Sequence, residues 1–268
     1  MKTLLLYAND DAGLESRLQA ALDMARIFGA HISCLQVTPF DSFIMGDPFG
    51  GVYALPEITE TVRKAEDEHR ARIEGRLRGE GANWDWSRFD GSPAQMAADR
   101  SRLSDAIVLS LPAGGNYDGP LSMVGDVVLH ASSPTLAVPQ SSRGLDFLGN
   151  AVVAWNGTIE SCHALRLAVP ILSVAAQVRI VTVTEDETEF PAIGASEYLA
   201  RHGIESELHQ WSRDGRTMSA ALLDAAQSLA GSYVVMGAYG HSRLQESIMG
   251  GTTREMIRCA AVPLLLAH

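Results

Sequence analysis

The chain has 268 residues and a mass of 28.8 kDa, is 46% hydrophobic and 20% charged, and carries 21 basic against 32 acidic side chains for a formal net charge of −11. That balance excludes an extended nucleic-acid groove and an anionic membrane surface as partners, since both are held by clustered Lys and Arg. Its apolar runs, such as residues 3–8 and 262–267, are of strand length and fall far below the roughly 20 residues that span a bilayer.

Met1-Lys2-Thr3 leads straight into Leu4-Leu5-Leu6-Tyr7, with one cation and no small-residue cleavage site. The start therefore reads as a first strand and not a signal peptide, and the expected location is the cytoplasm. Candidate strands follow over residues 3–8, 30–37, 82–89, 105–110 and 135–138, and again over 151–155, 176–183, 204–211, 232–236 and 262–267. Helical patterns separate them, the signature of βα units feeding a parallel sheet.

The two halves are alike in detail. Residues 30–38 read A-H-I-S-C-L-Q-V-T and residues 176–184 read A-Q-V-R-I-V-T-V-T, an offset of 146, while Trp86-Ser87-Arg88 recurs as Trp211-Ser212-Arg213, an offset of 125. The difference places 21 extra residues in the first half, visible as residues 39–60 with Gly-rich turns around Gly46 and Gly50-Gly51. Asn9 pairs with Asn156 and Pro134 with Pro263, so the correspondence runs end to end. Self-similarity on this scale means two copies of one fold, with domains over 1–140 and 148–268. The polar connection Gln140-Ser141-Ser142-Arg143-Gly144 is too short to let them drift apart. The extra segment carries Phe40, Phe43, Ile44, Met45, Phe49, Tyr53 and Leu55. An exposed patch of that kind is rare on a monomer, so packing or a homodimer contact is expected there in preference to a lid.

Several residues invite chemistry but read more simply. Cys34, Cys162 and Cys259 lie far apart within apolar patterns and are expected to be buried free thiols. No H-E-x-x-H or Cys-x-x-Cys spacing occurs, and His163 reads as a satisfied helix histidine. Trp84 and Trp86 alternate onto one strand face as core. The acidic run Glu185-Asp186-Glu187 with Glu189 reads as a solvated turn, with a Mg²⁺ contact near phosphates as the other reading. No G-x-S-x-G nucleophile elbow exists, which disfavours a dedicated hydrolase.

The informative segment is Met236-Gly237-Ala238-Tyr239-Gly240, then residues 241–249, then Gly250-Gly251-Thr252-Thr253. It follows an apolar strand and ends at a predicted helix over 252–260. Glycines allow close backbone approach, and a helix N-terminus with adjacent hydroxyls receives an anion, so the pattern suits phosphate. Within it, His241 and Arg243 are cations placed to touch a triphosphate or to stand exposed in the loop, and Arg254 adds a third at the helix start. No Gly-Lys-Ser, Gly-Lys-Thr or G-x-G-x-x-G accompanies it, which removes P-loop motors and dinucleotide enzymes.

On these residues the chain, outside 39–60, resembles a tandem universal stress protein, two copies of the α/β domain named for UspA. In the nucleotide-binding branch of that family the pattern is G-x2-G-x9-G followed by Ser or Thr. Gly237, Gly240 and Gly250 match its glycines; Gly251 stands where the family has Ser or Thr, with Thr252 and Thr253 next in line. Asn156 falls at the adenine-side aspartate, Ala154 and Val183 at the strand ends that line the adenine and ribose pocket, and Met236 precedes the first glycine. The resemblance implies two doubly wound domains of the adenine nucleotide alpha hydrolase-like kind. Each has a five-stranded parallel sheet, and a pseudo-twofold pairs them along their last strands. It implies ATP, or ADP or AMP, as ligand, with Mg²⁺ as its companion, in a regulatory stress-response module of little or no turnover that acts on an unknown protein partner. In the first half Ser110 and Leu121 occupy the places of Gly237 and Gly250, so one nucleotide per chain is expected, in the second half. The alternatives are an interaction protein of the same fold that binds no nucleotide, and a slow ATP hydrolase or adenylate transferase.

Overall fold

The computed structural model describes residues 1–39, 45–46, 52–53, 56–112, 123–184, 191–240 and 251–268. In the first half the chain runs through β1 (Thr3–Tyr7), α1 (Leu14–Phe28), β2 (His31–Thr38), a two-residue hairpin of β3 (Met45–Gly46) and β4 (Val52–Tyr53), α2 (Pro56–Gly79), β5 (Asn83–Asp90), α3 (Pro93–Arg100), β6 (Ala106–Ser110), α4 (Met123–His130) and β7 (Thr135–Val138). The second half repeats the plan with β8 (Asn150–Ala154), α5 (Ile159–Leu172), β9 (Gln177–Thr184), α6 (Ala192–Arg201), β10 (Ser206–Ser212), α7 (Met218–Ser228), β11 (Gly231–Gly237), α8 (Gly251–Cys259) and β12 (Leu264–Ala267). All ten strands expected from the sequence are present.

Local signals set the helix limits. Ser92, Thr158 and Thr217 cap α3, α5 and α7 by accepting the N–H three residues on, which satisfies a donor left open at each helix start. Gly29 ends α1 in the left-handed region at φ 59°, donating its N–H back to Ala25, a conformation that a residue without a β-carbon adopts freely.

The strand order is β10-β9-β8-β11-β12-β7-β6-β1-β2-β5 in one ten-stranded sheet. Read from the middle, each side runs fifth, fourth, first, second, third, so the order is a palindrome of the repeat. Within each half every pairing in this sheet is parallel, whereas β12 and β7 pair antiparallel with Leu265 opposite Leu136. The expected meeting of the last strands is therefore present, but it does not leave two separate five-stranded sheets. Each half ends on a short apolar edge strand whose N–H and C=O groups need partners. The two edges supply each other, and the sheets fuse.

Both faces of the sheet are covered, as the apolar strands require. On one face α1, α2, α5 and α6 pack over Leu4, Leu6, Ile32, Val153 and Ile180; on the other, α3, α4, α7 and α8 pack over Leu5, Ile107, Val152, Val181 and Val234. The connection between halves is pinned: Leu145 and Phe147 are buried, and Asp23 of α1 accepts the Leu145 N–H at 2.9 Å.

The structure corrects two expectations. The extra sequence of the first half is not all connecting segment, because α2 is 24 residues long against 10 in its counterpart α6. Of the apolar residues singled out in 39–60, Phe40, Phe43, Ile44, Phe49 and Leu55 lie outside the described residues. Of the three free cysteines only Cys34 is buried, and burial pushes its thiol up to about 12; Cys162 is partly covered and Cys259, near the end of the amphipathic α8, is exposed. Trp84 and Trp86 pack against the core as expected, with Trp86 Nε1 donating to Gln36 at 3.2 Å. Among the described residues no helix is long and apolar enough to cross a membrane.

Since Leu136 is fully buried at the seam, Leu136→Ala should cost about 2–4 kcal/mol. Urea unfolding followed by tryptophan fluorescence measures it, and a loss below about 1 kcal/mol would mean that the seam contributes little.

Candidate functional site

In a doubly wound sheet, ligands settle beyond the carboxyl ends of the strands where the winding reverses. In the second half that point lies between β8 and β11, flanked by β9. A cavity of about 220 Å³ opens there, lined by Ala154, Trp155, Asn156, Thr158, Glu160, Val183, Met218, Leu222, Met236, Gly237, Tyr239, Gly240, Thr252 and Thr253. Strand ends β8, β9 and β11 supply its floor, the first turns of α5 and α8 its rim, and α7 one apolar wall.

Of the residues that the sequence singled out, Ala154, Asn156, Val183, Met236, Gly237, Gly240, Thr252 and Thr253 meet in this one cavity. Gly251 does not line it: it is the exposed first residue of α8, and a β-carbon there would meet nothing within 4 Å. His241, Arg243 and Gly250 lie outside the described residues, as does the acidic run from Glu185 to Glu189. His163 sits on α5 with Nδ1 at 3.3 Å from the backbone O of His268. Among the described residues no group of three or more His, Cys, Asp or Glu is placed to hold a metal ion.

The motif glycines answer a need for space. Neither Gly237 nor Gly240 has positive φ. Gly237 ends β11 directly against the first turn of α5, where a β-carbon would stand 2.6 Å from the backbone of Glu160 and Ser161. At Gly240 it would stand 2.7 Å from Glu160 Oε2. The left-handed conformation falls instead on Tyr239, at φ 59°, a position that costs a residue with a β-carbon of order 1–3 kcal/mol. Its N–H donates to Thr253 Oγ1 at 3.2 Å, which ties the turn after β11 to the start of α8. Thr253 thus holds the loop, and its hydroxyl keeps one proton to donate.

Asn156 is held by its own turn. Its Oδ1 accepts from Thr158 N at 3.3 Å and Thr158 Oγ1 at 3.0 Å, and Thr158 Oγ1 in turn accepts from Ser161 N at 3.4 Å. With Oδ1 so engaged, the Asn156 amide presents its N–H₂ outward as a donor.

The first half shows how the same place looks when its own side chains fill it. Asn9, the counterpart of Asn156, donates through Nδ2 to Val37 O at 2.6 Å and accepts from Val37 N at 2.8 Å. Val37 is the counterpart of Val183, so the strand-end edge left to the cavity in the second half is zipped to a side-chain amide in the first. Arg17, 1% exposed, donates to Tyr7 O at 2.5 Å, to Asn9 O at 2.6 Å, to Ser110 Oγ at 3.1 Å and to both carboxylate oxygens of Asp11. The long helix α2 closes the rest, with His69 Nε2 at 2.7 Å from Ala8 O and Arg63 reaching Thr38, Glu66 and Asp90. A hollow of about 200 Å³ remains, walled by Arg17 and Asp11 on one side and by Tyr7, Leu109, Leu111 and Val124 on the other.

The glycine has moved across the contact. Ser110 stands where Gly237 stands in the second half, and Gly13 stands opposite it where the second half has Glu160. A β-carbon on Gly13 would lie 2.3 Å from Ser110 Oγ. The expected obstruction by bulk at 110 is therefore a repacked contact, in which Ser110 Oγ donates to Gly13 O at 2.8 Å. Leu121, the other expected obstruction, lies outside the described residues.

Sequence reasoning passed over Trp155, Thr158, Glu160, Met218, Leu222 and Tyr239 as lining residues. The Asn156-x-Thr158 cap and the four-residue spacing of Met218 and Leu222 on α7 were available signals; the position of Glu160 opposite Gly240 was not, because it depends on tertiary approach.

No family model and no curated protein matches the chain. Among solved structures, a universal stress protein from Archaeoglobus fulgidus DSM 4304 superposes with a TM-score of 0.79 at 17% identity, covering 99% of this chain and 95% of that one. A chain assigned to the same proteins, from Pseudomonas aeruginosa UCBPP-PA14, does so with a TM-score of 0.57 at 15% identity, covering 99% and 92%. At these identities the likeness is one of fold. The chain has the tandem universal stress protein fold.

The reciprocal glycine contact is open to a double-mutant cycle. Gly13→Ala should destabilise by about 1–3 kcal/mol through overpacking. Adding Ser110→Gly should recover at least ~1 kcal/mol of that by removing the atoms it meets. Thermal or urea unfolding of the four proteins measures the coupling, and strictly additive losses would refute it.

Proposed function

We propose that this chain is a regulatory nucleotide-binding protein of the universal stress type, taking one ATP, or its product ADP or AMP, in the second half with little or no turnover. The observation that supports it is the convergence of eight sequence-selected residues, from Ala154 to Thr253, on one cavity at the switch point of the sheet. The two ends of that cavity differ in chemistry as the two ends of a nucleotide do. Val183, Met218, Leu222 and Met236 offer apolar surface and a strand-end backbone to a base. Gly240, Thr252, Thr253 and the N-terminus of α8 offer N–H groups, hydroxyls and the positive end of a helix to phosphate. Glu160, the one carboxylate among the described lining residues, is the group placed to face Mg²⁺ carried in with the phosphates.

On this reading the first half contributes architecture. Its counterpart edge at Val37 is already engaged by Asn9, so the stoichiometry is one nucleotide per chain. The output is a change in how the chain meets a protein partner. Pairing with a second copy through the apolar 39–60 segment belongs to the same reading, and sedimentation at micromolar concentration should then give a mass near twice 28.8 kDa; a clean monomer would remove that part.

Thr252→Asp tests the site directly. A carboxylate in the first turn of α8 favours the helix while repelling an anion at the same N-terminus. Titration calorimetry with ATP and Mg²⁺ should give a stoichiometry near one for the intact chain and a loss of affinity of about tenfold or more for the variant, with an unchanged or higher melting temperature. A stoichiometry near two, or undiminished binding by the variant, would place the site elsewhere. No binding by nucleotide-free intact protein would favour an interaction protein of the same fold.

A further inference from the structure

The outward face of α5 departs from what a surface helix presents to water. Ile159, His163, Arg166, Leu167 and Pro170 fall at helical spacing along one side of it, where charged and polar residues are the rule. Ile159 is 70% exposed and Leu167 39%, and His163, Arg166 and Pro170 are exposed beside them. The first half covers the same stripe. At the offset that relates Asn9 to Asn156, the positions of His163, Leu167 and Pro170 become Ser16, Ala20 and Asp23 of α1. Ser16 and Ala20 are buried, and Asp23 accepts the Leu145 N–H of the connection between the halves at 2.9 Å. On α5 the side chains at these places stand in solvent.

We infer that this stripe is an interface with a second copy of the chain, in which two α5 helices pack antiparallel about a twofold axis at His163. The helix is complementary to itself in that register. Ile159 and Leu167 lie equally far to either side of residue 163, as do Glu160 and Arg166. Antiparallel pairing therefore sets Ile159 against the partner's Leu167 and Glu160 within reach of the partner's Arg166, and the symmetry makes each contact twice. The apolar pair leaves water, while carboxylate and guanidinium find their opposite charges across the axis. Since Glu160 lines the cavity, the same pairing brings the partner's Arg166 to its rim. The stripe is separate from the 39–60 segment. One helix face is a small contact, below the roughly 1,200 Å² at which standard interfaces begin, so the association is weak, on the order of 10–100 µM.

Sedimentation equilibrium of the intact chain from about 5 to 500 µM should show the mass rise from 28.8 kDa toward twice that value. Leu167→Glu and Arg166→Glu each place an acid in the contact, the second opposite the partner's Glu160, and each should raise the dissociation constant about tenfold or more. Both positions are exposed, so melting temperatures near the parent's should establish that the variants fold. A cross-link reads the register. In a chain carrying Cys162→Ser and Cys259→Ser, His163→Cys should give a covalent dimer under a mild thiol oxidant, because a residue on the axis meets its own copy within the reach of a disulfide. Arg201→Cys, at an exposed position on α6, should not. A monomer at the highest concentration would overturn the interface. So would a mass unchanged by both variants, which would assign the association to another surface. Weakening by the variants without the cross-link would overturn the antiparallel register.

Discussion

In each half a strand end and a helix start approach so closely that one of the two facing residues is a glycine whose β-carbon would have no room. In the second half the helix keeps Glu160 and the strand end is Gly237; in the first the strand end keeps Ser110 and the helix start is Gly13. The choice has consequences well beyond one contact. With the side chain on the helix, an acid reaches the rim of an open cavity. With the side chain on the strand, Ser110 is drawn into the hydrogen-bond group around Arg17. One constraint, met in two ways, separates a hollow that offers a strand-end edge from one that has used it up.

The closed state of the first half is built from strong interactions. Arg17 is almost fully buried, and a guanidinium in that position is tolerable only because every side of its fork meets an acceptor, two of them on the Asp11 carboxylate. Loss of a partner would leave an uncompensated buried charge, a change far costlier than loss of an exposed ion pair. Burial also pushes the Tyr7 hydroxyl up to about 12, against the pull of the neighbouring guanidinium, so this wall stays neutral across ordinary pH. Among the described residues that line the opposite cavity, Glu160 is the one acid and no Lys, Arg or His accompanies it.

How far the sequence could be read follows from the range of each interaction. Strand positions and the repeat are local or periodic, and they were legible: each half shows its five strands where the apolar runs lie. Met236 and Thr253 were legible because they flank a motif of fixed spacing, and Asn156 and Val183 because the family resemblance assigns those strand ends to the pocket. What the sequence did not convey depends on approach between distant segments. Gly237 was read as room for a ligand to approach the backbone and proves to be a matter of space against residue 160. The resemblance implied that the last strands, 135–138 and 264–267, meet, but not that they hydrogen-bond edge to edge and fuse the sheets. The length of α2 was hidden by glycines and prolines just upstream of Pro56. Cys259 was read as buried because α8 is apolar along one stripe, but it lies on the other.

The antiparallel seam between β7 and β12 sets directions as well as joining sheets. Within each half the strands run one way, so the carboxyl ends of β8, β9 and β11 point toward one border of the sheet and those of β1, β2 and β6 toward the opposite border. The two hollows consequently open at opposite borders of the sheet. A single flat partner docking along one border meets either the second half's hollow or the first half's, and never both. The duplication gives the molecule two poles, one with its strand-end edge at Val183 lining a hollow and one with the matching edge at Val37 bound to Asn9.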